Sequence, residues 1–315
     1  MKRIVALALV FALLVMTGCG SIAAGSGNGS YPSKQIEIII PYSAGGVADL
    51  TTRAITPSLE EKLGQTTVIV CKPGASGVIG FNYIASAKKD GYTIGFVPLS
   101  SVCINNVLGE LEINPLDGYE LLGGVTADPV ALCVSADSPF NSLKELVDYA
   151  KEHPGELTIA ASGMTSMDTV MCLDLEEVAG VDFNVIDFDG GSESIAAIIG
   201  GHADVMGGTY GEMAAYANAG QLKILAVGAQ GLDYPSFDEE GYSISLTTQV
   251  RSFIAPKGMD ETAKATLVEA IRESVAGESF AANLKSMDSE PTYLSPEELT
   301  EYVKTIMSGL QKFSE

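Results

Sequence analysis

The chain has 315 residues, of which 46% are hydrophobic and 18% charged, and this length is enough for two domains of ordinary size. The composition is typical of a globular protein and excludes an intrinsically disordered chain. The 40 acidic and 18 basic residues give a net charge of -22, which argues against nucleic acid or an anionic lipid surface as a partner.

The first thirty residues read as an export signal with a lipid attachment site. Two basic residues precede the apolar stretch Ile4–Val15, which is shorter than the ~20 residues that a membrane-spanning helix needs. The following Met16–Cys19 resembles the lipobox of bacterial lipoproteins. We predict a signal peptide at 1–18 and a lipidated Cys19 on a flexible tether at 19–30, with the protein exported and anchored at the outer face of the cytoplasmic membrane. The alternative is a plain signal peptide that happens to end near a cysteine.

Strand-like and helix-like segments then alternate along the chain. Short apolar runs rich in β-branched residues predict strands, and segments of helical spacing that end at glycine predict helices. The first series is strand 35–41, helix 48–63, strand 66–71, a Gly-rich turn 72–80 opening a helix to about residue 88, strand 92–97 and an extended stretch 118–135. The second series is helix 142–152 with Ser142 as its cap, strand 157–161, helix 165–178, strand 184–188, helix 193–200, strand 203–206, helix 212–218 and strand 224–227.

Another extended stretch, 244–254, leads to helices at 260–275 and 295–312, with a possible short helix at 280–285. Strands that alternate with helices predict parallel sheets. We therefore predict an α/β fold of two lobes, each a parallel-rich sheet flanked by helices, with the two extended stretches crossing between them as a hinge. Residues 31–126 and 251–315 would form lobe 1, and 127–250 would form lobe 2.

Three strand-to-helix turns, at 41–49, 160–168 and 188–194, share small residues and glycine. The first N–H groups of a helix lack partners and lie at the positive end of its dipole, so such turns bind a carboxylate or phosphate without Lys or Arg. The alternative is that any parallel α/β protein uses Gly and Ser here for packing and capping. Three such turns divided between two lobes favour a ligand site at the carboxyl ends of the strands.

Three charged residues lie near these turns or near the presumed hinge. Asp49 and Asp168 stand near helix starts, where capping is the expected role of Asp49. Asp168 could instead face the cleft and select against bulky anions or accept a hydrogen bond from the ligand. Arg251, in the second extended stretch, pairs either with a ligand carboxylate or with a surface acid.

Signatures of catalysis are absent from the sequence, which contains no G-x-S-x-G, no Walker A motif and no G-x-G-x-x-G after the first strand. His153 and His202 stand in turns without metal-ligand spacing, so we expect neither an enzyme nor a metal site or cofactor. Four cysteines in apolar settings are expected to be buried and unpaired, although a disulfide stays open: Cys71, Cys103, Cys133 and Cys172.

Several segments in the same order resemble the solute receptors of tripartite tricarboxylate transporters, the Bug proteins. They include YPSKQIEIIIPYSAGGVAD, KPGASGVIG, SLKELVDYAKEHPGELTIAASG and AGVDFNVIDFDGGSESIAAIIGGHADVMGG. The resemblance implies a two-lobed periplasmic-binding-protein fold that binds a small carboxylate, a di- or tricarboxylate or related organic acid, between the lobes. It also implies membrane permease subunits as partners and a monomeric receptor. A ligand-sensing subunit for a membrane signalling partner, or a hydrolase, is the alternative.

The resemblance places the ligand at the three turns and after two further strands. The residues are Tyr42, Ser43, Ala44, Gly45, Gly46, Ser100, Ser162, Gly163, Thr165, Ser166, Asp168, Gly190, Gly191, Thr209 and Tyr210. The chain departs from the family pattern at several of these turns, where Met164 and Asp168 replace a frequent Asn and His, and Asp189 replaces a frequent Lys. Because Asp168 and Asp189 would repel extra negative charge, a mono- or dicarboxylate is favoured over a tricarboxylate.

Overall fold

The computed structural model describes residues 31–313 except 189, 190 and 288. The predicted signal peptide, Cys19 with its tether, and the third-turn residues Asp189 and Gly190 therefore lie outside the described residues. Within the described part, no helix is both long and apolar enough to cross a membrane.

The first seven elements build one half of the molecule around β-branched strands and the long helix α1. They are β1 (Ile36–Ile40), α1 (Val47–Leu63), β2 (Thr67–Cys71), α2 (Val78–Ser86), β3 (Thr93–Pro98), α3 (Leu99–Val107) and α4 (Pro115–Gly118). Helix α1 ends at Gly64, which adopts the left-handed conformation (φ 64°) and donates its N–H to the carbonyl of Glu60. The predicted stop at Gly64 is confirmed.

The next elements begin with a 17-residue strand and build the second half: β4 (Tyr119–Ser135), α5 (Leu143–Glu152), β5 (Thr158–Ala161), α6 (Met167–Ala179), β6 (Asn184–Asp187), α7 (Gly191–Ile199), β7 (Met206–Thr209), α8 (Tyr210–Asn218) and β8 (Leu222–Val227). The predicted cap of α5 is confirmed, because the Ser142 hydroxyl accepts from the Glu145 N–H at 3.1 Å. The Glu145 carboxylate in turn accepts from the Asn141 N–H at 2.7 Å.

The chain returns through β9 (Thr248–Pro256) and ends in α9 (Glu261–Val275), α10 (Glu278–Leu284) and α11 (Pro296–Leu310). Strands β4 and β9 pair antiparallel along the whole of β9, from Tyr119 opposite Pro256 to Pro129 opposite Thr248. The two predicted extended crossings are thus one antiparallel ribbon that runs through both halves, and the two-lobed fold class is confirmed.

The sheets are mixed, with parallel pairs away from the ribbon, as predicted for each lobe, and antiparallel pairs along it. Strand β1 pairs parallel with β2 and β3, and β5 pairs parallel with β6. The ribbon strands pair antiparallel with their other neighbours, β9 with β3, and β4 with β7 and β8. Parallel pairing therefore occurs in each half away from the ribbon, and the strands that pair with β4 and β9 run antiparallel to them.

Each half has an apolar core of its own, and a third cluster joins them. Ile38, Ile55 and Phe253 belong to the core between the first sheet and helices α1 and α9. A smaller core around Ile198 and Met213 lies under β4, β7 and β8. The largest cluster extends from β1 and α3 through the ribbon to α6 and α11. The boundaries 31–126 with 251–315, and 127–250, stay a prediction.

Candidate functional site

A cavity of about 440 Å³ lies where the two halves meet, beside the ribbon. Its size falls in the range of small-molecule sites. It is lined by the start of α1, by α3, by the turn before α6 and its first residues, by the starts of α7 and α8, and by β9. The lining residues are Tyr42, Gly46, Val47, Ala48, Ser76, Pro98, Ser101, Ser162, Gly163, Thr165, Ser166, Met167, Asp168, Gly191, Thr209, Glu212, Gln249 and Arg251.

The N-terminus of α1 reaches the cavity without a side-chain cap. Its N-cap residue is Gly46, which has extended backbone angles and no side chain that could cap the helix. The first-turn N–H groups of Val47 and Ala48 therefore have no side-chain acceptor at the N-cap. Asp49 does not fill this place, since its Oδ2 accepts from the Gly45 N–H at 2.8 Å and from Arg53 Nε at 3.0 Å. This helix end therefore offers amide donors and a positive dipole to an anion in the cavity.

The N-terminus of α6, across the cavity, is partly filled by the protein's own side chains. The Ser166 hydroxyl accepts from the Thr169 N–H at 3.2 Å, and the Gly163 N–H donates to Asp187 Oδ1 at 3.1 Å. Thr165 Oγ1 is a buried oxygen for which the described residues provide no hydrogen-bond partner. Compared with α1, this turn contributes hydroxyl groups more than free amides.

Helix α8 contributes a second uncapped end. Its N-cap Thr209 makes no capping hydrogen bond through its side chain, and Glu212 lies in its first turn. Strand β7, which leads into α8, lies directly against the start of α6. A Cβ added to Gly207 of β7 would be 2.6 Å from the Asp168 carbonyl oxygen of α6. The two acidic side chains of the cavity, Asp168 and Glu212, thus come from neighbouring helix ends.

Both acidic side chains of the cavity are perturbed by their surroundings. Burial raises the pKa of Asp168 to about 6, with a further rise from the Glu212 charge, against the lowering effects of the Ser162 hydroxyl and Arg251. The Ser162 hydroxyl donates to Asp168 Oδ2 at 3.1 Å. Desolvation also raises the pKa of Glu212, which Arg251 opposes. Glu212 is exposed to solvent but also lines the cavity, where the surrounding protein desolvates its carboxylate.

Arg251 on β9 lies 5% exposed between the cavity and the ribbon. Its Nη1 forms an ion pair with Asp128 on β4 and lies 3.5 Å from Thr126 Oγ1. Asp128 Oδ1 also accepts from the Ser289 hydroxyl at 2.6 Å. Arg251 therefore pairs with an acidic residue of the protein, but this residue is buried and does not lie on the surface as one of the two sequence alternatives supposed. The Arg251 side chain also lines the cavity.

Tyr42 forms the cavity wall between β1 and α1. Its ring packs edge-on against Phe81, with 6.5 Å between the ring centroids. Burial raises the pKa of its hydroxyl to about 12, against the opposing effects of Ser101 and Arg251. The hydroxyl is therefore protonated at neutral pH and can donate a hydrogen bond.

Nine of the fifteen sequence-predicted site residues line the cavity: Tyr42, Gly46, Ser162, Gly163, Thr165, Ser166, Asp168, Gly191 and Thr209. The structure places Ser43, Ala44, Gly45, Ser100 and Tyr210 outside the lining, and Gly190 is not described. Residues 43–45 are exposed to solvent. Ser100 is fully buried within α3, and Tyr210 packs on Tyr234 with 6.3 Å between ring centroids.

Sequence reasoning missed several lining residues, chiefly Ser76, Ser101, Glu212 and Gln249. Ser101 stands one residue after the predicted Ser100, and recognition of α3 would have shown that neighbouring helix residues point to different sides. Glu212 stands in the first turn of a helix that follows a glycine-rich strand, the same design as the three turns that were singled out.

The histidines and cysteines lie away from the cavity lining. His153 stacks on Tyr149, with 4.2 Å between ring centroids, and His202 follows the Gly200-Gly201 turn. The four described cysteines are free thiols, three of them buried. The described lining therefore contains no histidine that could act as a base for a serine.

Two lobes joined by a two-stranded ribbon, with a cavity of polar helix ends between them, define a two-lobed solute-binding fold. The profile of the tripartite tricarboxylate transporter family receptor matches residues 51–311, and the chain belongs to this family. The predicted family is therefore confirmed, and membership of a family of periplasmic solute-binding receptors implies an exported protein.

Known proteins resemble the chain over nearly its full length. It is 28% identical over 309 residues to the UPF0065 protein in the gbd 5′ region of Cupriavidus necator, covering 96% of this chain and 93% of that relative. A TctC solute-binding protein from Polaromonas is 27% identical, with a TM-score of 0.75 and coverage of 90% and 99%. MatC from Rhodopseudomonas palustris, solved with bound malate, shares the fold with a TM-score of 0.78 at 23% identity, covering 90% of this chain and 100% of MatC.

Proposed function

We propose that this receptor binds a small carboxylate in the cavity between its lobes and delivers it to membrane permease subunits of a tripartite transporter. The uncapped N-terminus of α1, which presents the amides of Val47 and Ala48 at the cavity wall, is the observation that carries the proposal. Uncapped helix ends stabilise anions without a basic side chain. Local amide donors also explain how a chain of net charge -22 can hold an anion.

Binding would act on the equilibrium between open and closed arrangements of the lobes. A ligand that contacts α1 on one side and the turn before α6 on the other makes both sets of contacts only when the lobes are close together. Such a ligand stabilises the closed arrangement by the difference in its affinity for the two states. The permease would then recognise the closed receptor, with β4 and β9 as the hinge.

Calorimetric titration with a panel of small acids, among them malate, succinate, citrate and glutamate, tests the proposal. The informative variant is Val47→Pro, which removes one amide donor while proline remains favourable at the first helical position. Gly46 already has φ -76° and ψ 170°, the conformation that a residue before proline prefers. A lost hydrogen bond to a charged group is worth ~1.5–3 kcal/mol, so we expect about tenfold to a hundredfold weaker binding.

The matched control is Glu261→Pro at the first position of α9, outside the cavity, where Asp260 has φ -55° and ψ 127°, a ψ within the range that a residue before proline prefers. It should leave the affinity unchanged. Failure of every acid in the panel to bind the wild-type protein would refute the proposed function. Equal affinities for wild type and Val47→Pro would instead exclude the α1 amides as the carboxylate site.

The permease partner and the lipid anchor belong to the same proposal. The family to which the chain belongs is one of transporter receptors, and co-purification with permease subunits would separate transport from a sensing role. Cys19→Ser is expected to move the protein from the membrane fraction to the soluble fraction, because the anchoring acyl chains contribute ~0.8 kcal/mol per buried CH₂.

A further inference from the structure

The cavity contains more negative charge than a site for a plain carboxylate needs. Asp168 and Glu212 both line it, and neither forms an ion pair with any described residue. Asp168 accepts only the Ser162 hydroxyl, and Glu212 has no hydrogen-bond partner in the described part of the chain. Two carboxylates without counter-ions next to the proposed anion site require an explanation.

Arg251 does not neutralise them. It is the one basic side chain in the described lining, and Asp128 already pairs with it. These four groups therefore carry one positive and three negative charges when ionised. A dicarboxylate without a cationic group would add two more negative charges to this small volume, where like charges repel strongly.

Arg251 nevertheless has donors to spare. Both of its hydrogen bonds leave from Nη1, so Nε and Nη2 have no partner among the described residues, although the side chain is only 6% exposed. A guanidinium in this position can hold a carboxylate through its remaining N–H groups. The cavity thus offers a donor set for an anion and, beside it, an acceptor set that has no protein cation.

The acceptor set fits a protonated amine. An ammonium group has three donors, and the cavity presents the carboxylates of Asp168 and Glu212 together with the buried, unpartnered Thr165 Oγ1. A metal ion fits less well, because no group of three or more His, Cys, Asp or Glu side chains with metal-site geometry occurs among the residues described.

We infer that the ligand is an amino carboxylate, with its carboxylate held by the α1 amides and Arg251 and its ammonium group held by Asp168 and Glu212. Ser162, which donates to Asp168, positions that carboxylate. The inference rests on the proposed function and narrows its ligand class from small acids in general to those that carry a protonated nitrogen.

Calorimetry at pH 7.5 with matched pairs of acids tests the inference: glutamate with glutarate, aspartate with succinate, and γ-aminobutyrate with butyrate. Each pair differs only by the amino group. We expect the amino member of at least one pair to bind at least tenfold more tightly than its partner. If the amine-free members bind equally well or better in every pair, the inference is overturned while the proposed function stands. If no member of any pair binds, the inference is overturned, and the proposed function falls with it only if malate and citrate also fail to bind.

Variants of Asp168 and Glu212 test whether these side chains cause the preference for the amino member of a pair. Asp168→Asn and Glu212→Gln are each expected to lower the amino preference at least fivefold and to leave the affinity for the amine-free member equal or higher. Glu212 is exposed to the cleft, so its variant should fold even where the Asp168 variant does not. The control is Asp137→Asn, an exposed carboxylate outside the cavity, which should leave the preference unchanged. An unchanged preference in Glu212→Gln and in a folded Asp168→Asn would overturn the assignment.

Discussion

Asp168 is a cavity side chain whose charge changes near neutral pH. Its pKa of about 6 reflects burial and the Glu212 charge, and Arg251 and the Ser162 hydroxyl oppose that rise. Protonation of Asp168 removes a negative charge from the cavity. We therefore expect affinity for succinate to increase as the pH falls from 7.5 to 5, by up to about tenfold for each unit by which bound succinate raises the pKa of Asp168. Affinity for an amino carboxylate should decrease over the same interval.

Calorimetry at pH 5, 6 and 7.5 measures both trends. The Asp168→Asn variant should have a flatter profile for both kinds of ligand, and a profile identical to that of the wild type would contradict the role of Asp168.

The same raised pKa affects the stability of the ligand-free protein. The folded state binds the proton more tightly than the unfolded state, so this group's contribution to stability decreases as pH rises from about 4 to about 6.

The buried pair of Arg251 and Asp128 is expected to be important for stability as well as for the cavity. Asp128 is 8% exposed, and its removal would leave the guanidinium buried without its anion. Breaking a buried pair in this way costs ~3–5 kcal/mol. Asp128→Asn should therefore unfold at a clearly lower urea concentration than the wild type, and Asp137→Asn should not. A loss below ~1 kcal/mol would show that solvent or another group compensates the charge.

At the level of single residues, the sequence predicted the turns better than the side chains. Glycine and small residues between a strand and a helix have a local cause, so the turns at residues 41–49 and 160–168 were found. The position of Asp168 in the cavity was one of two alternatives. The partner of Arg251 could not be predicted, because Asp128 is 123 residues away in the chain and comes close to it only through the β4–β9 pairing, in which Asp128 lies opposite Gln249.

The contact between α6 and β7 determines how close the two acidic helix ends lie. A Cβ on Gly207 would be 2.5 Å from Met171 Cε and 2.6 Å from the Asp168 carbonyl oxygen, and the second contact cannot be relieved by a rotamer change. We expect Gly207→Ala to destabilise the protein by ~1–3 kcal/mol, as overpacking does elsewhere. Urea unfolding measures this loss.

Gly46→Ala is the matched control for stability, since a Cβ there meets only the Ser43 carbonyl oxygen at an ordinary 3.6 Å. It should unfold within ~0.5 kcal/mol of the wild type. Equal stability of the two alanine variants would mean that α6 and β7 can separate without cost.

Most helices and strands were predictable as elements, because their apolar spacing and caps are local. Helix α3 was missed. Leu99–Asn105 is buried at every position, so the segment has no alternation of polar and apolar faces that would indicate a helix. The strand at 203–206 was predicted too early: β7 begins at Met206, and only an isolated bridge from Val205 to Ile159 precedes it.

At the scale of the whole molecule, the alternation of elements and the two extended stretches predicted two lobes with a double crossing. The direction of the strands beside the crossing was not predictable in the same way. Pairing of β4 with β7 and β8 depends on contacts between residues about 70 to 100 positions apart, and local sequence patterns carry no information on them.

The central claim is that the amides at the start of α1 hold the carboxylate of a ligand between the lobes. Amide ¹H–¹⁵N spectra of the ¹⁵N-labelled protein, recorded during titration with the tightest-binding acid of the panel, test it residue by residue. We predict that the Val47 and Ala48 amides show among the largest downfield proton shifts, together with changes at residues 162–168 and at Arg251 on the facing wall. Shifts confined to residues outside the cavity, with the Val47 and Ala48 signals unmoved at saturation, would contradict the account.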